Sequence, residues 1–303
     1  MSSSRHARPP AQKLPSYGGQ AVIEGVMMRG TQVCATAVRA PDGSIVIEAR
    51  PLSGIYRGRI PRIPFLRGVL AIVDALVLGM RALAFSAGVQ AGEAAPQVPI
   101  AASMVLSLLF GVGLFFLLPA AAAYLAGSAL GWNDLLSNGV EGLVRLGLLI
   151  GYVGAIGWWP EIQRVYAYHG AEHKTIHAFE AGSPLEPAAI AAFPREHPRC
   201  GTAFLLTVVV ISILLFTLLG PMPLLPRLAS RVLLIPVIAS LAYEYIRLTG
   251  RWSGNALGRL LAAPNLAMQR LTTREPTPDM IEVAVSAFEA MRREEPRASA
   301  PES

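Results

Sequence analysis

The sequence predicts a mainly α-helical membrane protein with about four transmembrane helices and a small α+β cytoplasmic domain that contains an N-terminal β-hairpin. Of its 303 residues, 53% are hydrophobic and 15% are charged, whereas soluble domains carry about 25% charged residues. The stretches 94–133 and 201–226 contain no charged residue. Each exceeds the roughly 20 apolar residues that a helix needs to cross a bilayer.

Four segments are predicted to span the membrane: 100–127, 142–160, 203–220 and 231–247. Each should be helical, because lipid offers the backbone no hydrogen-bond partner. The second segment carries Arg145 near one end, where it can reach the interface or pair with Glu141 one turn away. The fourth carries Glu244 near its cytoplasmic end, where an acid predicts either a functional residue or an ion pair with Arg247. No charge is therefore expected at mid-depth, which argues against an ionic cargo.

The distribution of Lys and Arg predicts the orientation of these spans. There are eleven before residue 100, none at 128–139, four at 161–202 and eight from Arg247 onward. The positive-inside rule then places both termini and the 161–202 loop in the cytoplasm. Cys34 and Cys200 would lie in a reducing compartment, so no structural disulfide is expected.

Residues 64–92 are predicted to form an amphipathic or partly inserted helix. The segment is apolar except for Arg67, Asp74 and Arg81, whose seven-residue spacing puts them on one helical stripe. A true fifth span would bury Asp74 mid-membrane and reverse the orientation of every later loop. The interfacial position is therefore preferred to a span.

The remaining segments form tails and a cytoplasmic domain. Residues 1–16 lack the apolar run of a signal peptide and are predicted to be a disordered tail. The β-rich segment 17–63 contains a hairpin that turns at Pro41-Asp42-Gly43. The tail 248–303 contains an amphipathic helix that begins near Thr277 and Pro278, with the apolar stripe Ile281, Val285, Phe288 and Met291. The net charge of +6 is too dispersed to indicate a nucleic-acid partner.

The His-rich loop 161–202 carries the main chemical signal. On a helix, His169, His173 and His177 drift by only about 80° around one face. The run from His169 to His173 also matches H-x-x-E-H, in which two histidines bind zinc and the glutamate is the general base. His169 and His177 lie about 12 Å apart along a helix, so the three cannot share one ion. The preferred pair is His169 and His173, with Glu172 as the catalytic residue.

Further metal ligands are expected from the same loop, which offers Glu180, His197 and Cys200. Imidazole, thiolate and carboxylate are the ligands that zinc prefers, so Zn²⁺ is the predicted divalent metal. Glu24 is a lone acid among glycines and apolar residues, which predicts either a second catalytic residue or a turn. A simpler interpretation of the loop is a polar interface whose histidines bind carbonyls or lipid headgroups.

Three motifs carry a resemblance to a known family: GGQAVIEGVMMRG, then YHGAEHKTI with HPRCGTAF, then LTTREPTPDMIEVAV. Together they resemble the YqhQ family of bacterial membrane proteins over roughly residues 17–292. That family is a domain of unknown function described as a predicted metal-dependent enzyme. The resemblance carries over to His169, Glu172, His173, His197, Cys200 and Glu24. It does not include His177, and it favours the His169/His173 pair.

The sequence therefore predicts a multi-pass protein of the bacterial inner membrane with a hydrolase-like, zinc-dependent site at its cytoplasmic surface. Membrane lipid is the expected environment, and a lipid-linked compound or a membrane protein is the expected substrate. The alternative is a non-catalytic scaffold, transport or regulatory protein with a structural metal site. A catalytic site keeps an open coordination position, whereas a structural site is closed and its loss unfolds the domain.

Overall fold

The computed structural model describes residues 17–52, 63, 65–92, 100–220, 222–252 and 254–298. It is mainly α-helical and has one small antiparallel sheet near the N-terminus. The predicted fold class is confirmed to that extent. The disordered tail predicted for residues 1–16 lies outside the described residues.

The sheet contains four strands in the order β1-β2-β3-β4, with bounds Gly18–Val22, Gly25–Arg29, Val33–Arg39 and Ile45–Pro51. The hairpin predicted at Pro41-Asp42-Gly43 is confirmed, since Arg39 pairs with Ile45 and Gly43 turns the chain at φ 86°. The β1–β2 hairpin was not predicted. Its turn is only two residues long and places Glu24 at φ 51°, a conformation that non-glycine residues rarely adopt.

The helices of the described chain are numbered in order. Their bounds are α1 Leu66–Ala91, α2 Ile100–Val112, α3 Leu118–Leu130, α4 Asp134–Ile156, α5 Pro160–Glu180, α6 Pro187–Ile190, α7 Ala203–Leu218, α8 Leu224–Leu233, α9 Ile235–Arg251, α10 Ala256–Thr272 and α11 Pro278–Ala298. A π-helical segment, Gly113–Leu117, joins α2 to α3. Helix α10 was not predicted as a separate element.

Several of these helices have the length and composition of membrane spans: Leu66–Ala91, Ala102–Leu130 and Asp134–Ile156. Helix α7 is shorter, and α8 and α9 together pass the same test but are bent by 44°. The fourth predicted span, 231–247, therefore lies mostly in α9 but begins in α8, on the other side of a bend that was not predicted. The chain breaks at Leu234, and Pro236 lies in the first turn of the next helix, where the N–H that proline lacks has no partner within the helix.

The sheet lies between α1 on one face and α5 with α11 on the other. Its strands alternate, so that Val26, Met28 and Ala35 pack with α5 and α11, while Met27 and Cys34 pack with α1. In α11, the predicted stripe is confirmed, since Ile281, Val285, Phe288 and Met291 all belong to the first of these cores. The sheet and its two helical layers thus form one domain.

Helix α1 contributes one face to that domain and leaves an apolar face exposed. Asp74 is buried and pairs with Arg29 of β2 at 2.5 Å, so its charge is neutralised by the sheet. The opposite face exposes Leu66, Val73, Leu76 and Leu83. A helix with one face on a folded domain and the other apolar suits an interfacial position, which stays a prediction.

A cluster of buried charges lies inside the helical bundle, and it includes Arg145, which was predicted near one end of its span. Glu141 accepts hydrogen bonds from Arg145, Arg227 and Arg231 at 2.6 to 3.2 Å. Arg145 lies near the middle of α4 because that helix begins at Asp134, earlier than predicted. It pairs with Glu141, as one of the two predictions had it, and all four side chains are buried.

The pairing predicted for Glu244 is wrong. Its carboxylate accepts two hydrogen bonds from the Arg67 guanidinium, so it joins α9 to the first turn of α1 instead of pairing with Arg247. Close packing of Gly68 against Ser240 brings these two helices together. A partner that lies far away in sequence could not be found from local spacing.

Candidate metal centre

Helix α5 positions most of the candidate side chains. Pro160 occupies its first turn, where a missing N–H is harmless, and Glu161 lies at the positive end of the helix dipole. The helix packs against β1 and α11, and the run from Ala167 to Ile176 is buried. The side chains of this run are therefore held in fixed orientations within the domain.

His169, His173 and Cys200 form the first cluster, with ligand atoms that all lie within 4.8 Å of one another. His169 Nε2 lies 3.2 Å from Cys200 Sγ. Zinc bound tetrahedrally to an imidazole nitrogen and a thiolate would separate the two by about 3.6 Å. The exposed fractions are only 8%, 2% and 7%, so the three donors converge in the protein interior and fit a zinc ion.

Backbone carbonyls fix which nitrogen of each histidine is free. His169 Nδ1 donates to the carbonyl of Thr272 at 2.8 Å, and His173 Nδ1 donates to that of Arg195 at 2.5 Å. A carbonyl only accepts, so each Nδ1 carries a proton, and in the neutral ring each Nε2 presents a lone pair. Histidines that ligate metals in proteins are oriented in this way.

The loop that carries Cys200 is held by α10 and by its own turn. Gln269 is fully buried and clamps the backbone of His197, accepting from its N–H at 2.8 Å and donating to its carbonyl at 2.9 Å. Cys200 Sγ accepts the Thr202 N–H at 3.3 Å. This bond holds the sulfur beside the two histidines.

His177, Glu180 and His197 form a second cluster, also within 4.8 Å of one another. His197 Nδ1 accepts the Arg199 N–H at 3.3 Å, and its Nε2 lies 3.5 Å from Glu180 Oε2. Burial lowers the pKa of His197 to about 4, so the imidazole is neutral. Burial opposes ionisation of Glu180, but His197 and Arg199 outweigh it and lower the pKa of that carboxyl group.

Glu172 lies on the side of α5 that faces β1. It is buried and accepts the backbone N–H of Gly19, and a Cβ on Gly19 would approach Glu172 Cδ to 3.0 Å. Burial raises the pKa of Glu172 to about 7, against a smaller opposing effect of His169. A carboxyl group with a pKa near neutrality can both accept and donate a proton.

Glu24 lies in the β1–β2 turn and belongs to neither cluster. Its carboxylate accepts two hydrogen bonds from the Arg164 guanidinium and a third from the Tyr168 hydroxyl at 3.2 Å. The hydrogen bonds from Arg164 hold its pKa below the usual range. These contacts fit the turn-closing interpretation, and its catalytic role stays a prediction.

The structure divides the predicted ligand set between two clusters. His169, His173 and Cys200 come together, while His197 and Glu180 lie in the second cluster with His177. The supporting residues Thr202, Gln269 and Thr272 were not singled out from the sequence. Thr202 and Thr272 lie within the quoted motifs HPRCGTAF and LTTREPTPDMIEVAV, which could have pointed to them. The Arg195 carbonyl could not be identified as a partner of His173 from the sequence, because every residue type has a backbone carbonyl.

Comparison with known proteins identifies the family. The family described as "Protein of unknown function (DUF1385)" matches residues 63–294. The chain is 35% identical over 307 aligned residues to "Uncharacterized protein YqhQ" of Bacillus subtilis (strain 168), covering 96% of this chain and 95% of that protein. No solved structure matches this chain. The chain therefore belongs to the YqhQ family of uncharacterised proteins, DUF1385.

Proposed function

We propose that this protein is a membrane-embedded, zinc-dependent hydrolase whose site is formed by His169, His173 and Cys200. The observation that carries the proposal is the convergence of three buried donors, two of them histidines whose Nδ1 protons are already bound to carbonyls. A purely polar interface would not require a buried thiol beside two histidines. Two nitrogens and one thiolate are a ligand set that zinc accepts in catalytic sites.

Each residue of the proposed site would have its own role in hydrolysis. A bound zinc ion supplies Lewis acidity and positive charge to a substrate carbonyl or phosphoryl oxygen. Glu172, the glutamate of H-x-x-E-H, accepts a proton from the attacking water and returns it to the leaving group. Gly19 holds the Glu172 carboxylate in place through its N–H, and the carbonyls of Thr272 and Arg195 orient the two imidazoles.

The position of the site along the chain supports a substrate that belongs to the membrane. Helix α4 passes into α5 at Trp158 and Trp159, which are 82% and 61% exposed. Exposed tryptophans mark the boundary between lipid and water in membrane proteins. His169 follows in α5 within about 17 Å of this boundary along the helix. A lipid-linked compound or a membrane protein at the cytoplasmic surface is the substrate class that fits this position.

A structural zinc site is the second candidate, and the burial of the first cluster favours it. His169, His173 and Cys200 are each less than 9% exposed, as the ligands of a closed site would be. In that case the chain is a scaffold, transport or regulatory protein whose cytoplasmic domain is held by metal. Loss of the ion would then unfold the domain.

Hydrolysis in heavy-oxygen water tests the proposal even while the substrate is unidentified. The zinc-loaded protein, Glu172→Gln and His173→Ala are each incubated with detergent-solubilised bacterial membrane extract in water labelled with oxygen-18. Products that carry the label are then compared by mass spectrometry. Labelled products from the wild type alone would support a hydrolase. Identical product patterns from all three proteins, with zinc bound to the wild type, would contradict hydrolysis and leave the structural site.

A further inference from the structure

The second cluster, His177, Glu180 and His197, lies one helical turn beyond the proposed zinc site. We propose that this cluster binds a second divalent cation, so that the chain holds two adjacent cation sites. The inference rests on the proposed function for the neighbouring ion, but it concerns different ligands. His177 lies outside the motifs that carry the family resemblance, so the second site is inferred for this chain and not for its family.

The spacing of two of these ligands is that of a cation site. His197 Nε2 and Glu180 Oε2 are 3.5 Å apart, which is beyond the usual range of about 2.7–3.2 Å for an N–H···O hydrogen bond. A zinc-sized ion bound tetrahedrally to an imidazole nitrogen and a carboxylate oxygen separates the two atoms by about 3.4 Å. The gap therefore has the width that a bound ion requires. In the metal-free structure His197 Nδ1 accepts the Arg199 N–H, so the neutral ring carries its proton on Nε2. An ion at Nε2 requires that proton to move to Nδ1 and the Arg199 N–H to release its contact.

The third ligand is also held by a backbone carbonyl, but through its other ring nitrogen. His177 Nε2 donates to the carbonyl of Glu196 at 2.9 Å, which leaves Nδ1 with the free lone pair. The rings of His177 and His197 lie 4.6 Å apart, centre to centre. Two imidazoles and a carboxylate are also the set that holds zinc in several metallohydrolases.

Arg199 occupies the place of a cation beside the Glu180 carboxylate. Its guanidinium forms an ion pair with Glu180, and the two side chains are 38% and 28% exposed. An exposed arginine can move into solvent at little cost. We therefore expect the second cation to compete with Arg199 and to bind more weakly than the ion at the buried first cluster.

The two sites would lie side by side on α5. His173 and His177 are one turn apart, about 6 Å along the helix axis. The rings of His173 and His197 are 5.7 Å apart. Paired cations stabilise both the attacking and the leaving oxygen of a displacement. A second cation would therefore point to phosphate esters, including phosphorylated lipids, as the substrate class.

Cobalt titration of the metal-free full chain in detergent tests this inference. Co²⁺ at the first cluster should give a near-ultraviolet thiolate-to-cobalt band, whereas the second cluster has no sulfur ligand. The variants are Glu180→Gln, Arg199→Ala and, as a matched control, Glu196→Gln, whose carboxylate pairs with Arg270 at 3.4 Å outside the cluster. Circular dichroism verifies that each variant is folded.

We expect about two equivalents of Co²⁺ for the wild type and for Glu196→Gln. Glu180→Gln should bind about one equivalent with the thiolate band intact, and Arg199→Ala should bind the second equivalent more tightly. One equivalent in the wild type, with the thiolate band and no effect of Glu180→Gln, would overturn the second site and leave the zinc site standing. No bound cobalt in the wild type would overturn both.

Discussion

Substitution of Gly170 is expected to affect both the packing of the domain and the geometry of the proposed zinc site. A Cβ at this position would lie closer than 3.0 Å to the carbonyl oxygen of Arg274, a backbone atom that cannot turn aside. The segment it would displace also carries the Thr272 carbonyl that orients His169, and it is tied to α5 by the Arg274 N–H bond to Tyr166. Gly170→Ala should therefore disturb both stability and metal affinity.

The matched control is Gly88→Ala, because a Cβ on Gly88 meets nothing within 4 Å. Both substitutions gain similar helix propensity, about 1 kcal/mol, so their difference isolates the overpacking cost of about 1–3 kcal/mol. We expect an unfolding temperature several degrees lower for Gly170→Ala than for Gly88→Ala.

Zinc affinity, measured by competition with a chelating dye, should fall about 10- to 100-fold in Gly170→Ala, because a displaced Thr272 carbonyl no longer orients His169. Gly88→Ala should bind zinc like the wild type. Equal unfolding temperatures and equal zinc affinities for the two variants would refute the claim that this glycine holds the site together.

Two further predictions separate stability from chemistry. Glu141→Gln removes the carboxylate that three buried arginines share, so we expect a loss of about 3–5 kcal/mol, measured as thermal unfolding in detergent. The exposed control Asp134→Asn should change stability by only about 0.5 kcal/mol, and equal effects would show that the cluster is not a stabilising network. Glu172→Gln should keep its zinc and its fold, since the amide oxygen still accepts the Gly19 N–H. Elemental analysis measures the bound zinc, and loss of zinc from this variant would show that Glu172 is a ligand.

The sequence predicted those parts of the fold that depend on local pattern. The β3–β4 hairpin follows from alternation around Pro41-Asp42-Gly43, and α11 follows from its 3.6-residue stripe. The β1–β2 hairpin was missed because its turn contains Ile23 and Glu24, which are not typical turn residues. The break at Leu234 was missed because an apolar run was weighed more heavily than Pro236.

The clustering of the candidate side chains could be predicted only in part. Helical spacing predicted that His169 and His173 lie together and that His177 cannot bind the same ion. In the structure, His169 and His173 lie in one cluster and His177 lies in the other. Spacing could not show that Cys200 joins the first pair while His197 joins His177, because the loop between α5 and α7 sets that choice. The arginine cluster was missed because Arg227 and Arg231 lie far from Glu141 in sequence.

Cobalt absorption of the two cysteine variants tests the central claim most directly, because Cys34 and Cys200 are both buried and free. Among the residues that the structure describes, only Cys200 lies beside histidines. The metal-free wild type, Cys34→Ser and Cys200→Ser are loaded with Co²⁺ after their folds have been compared by circular dichroism. The account predicts a thiolate-to-cobalt band in the wild type and in Cys34→Ser, and its loss in Cys200→Ser. A folded wild type that shows no such band, or a band that survives in Cys200→Ser, would contradict a metal site formed by His169, His173 and Cys200.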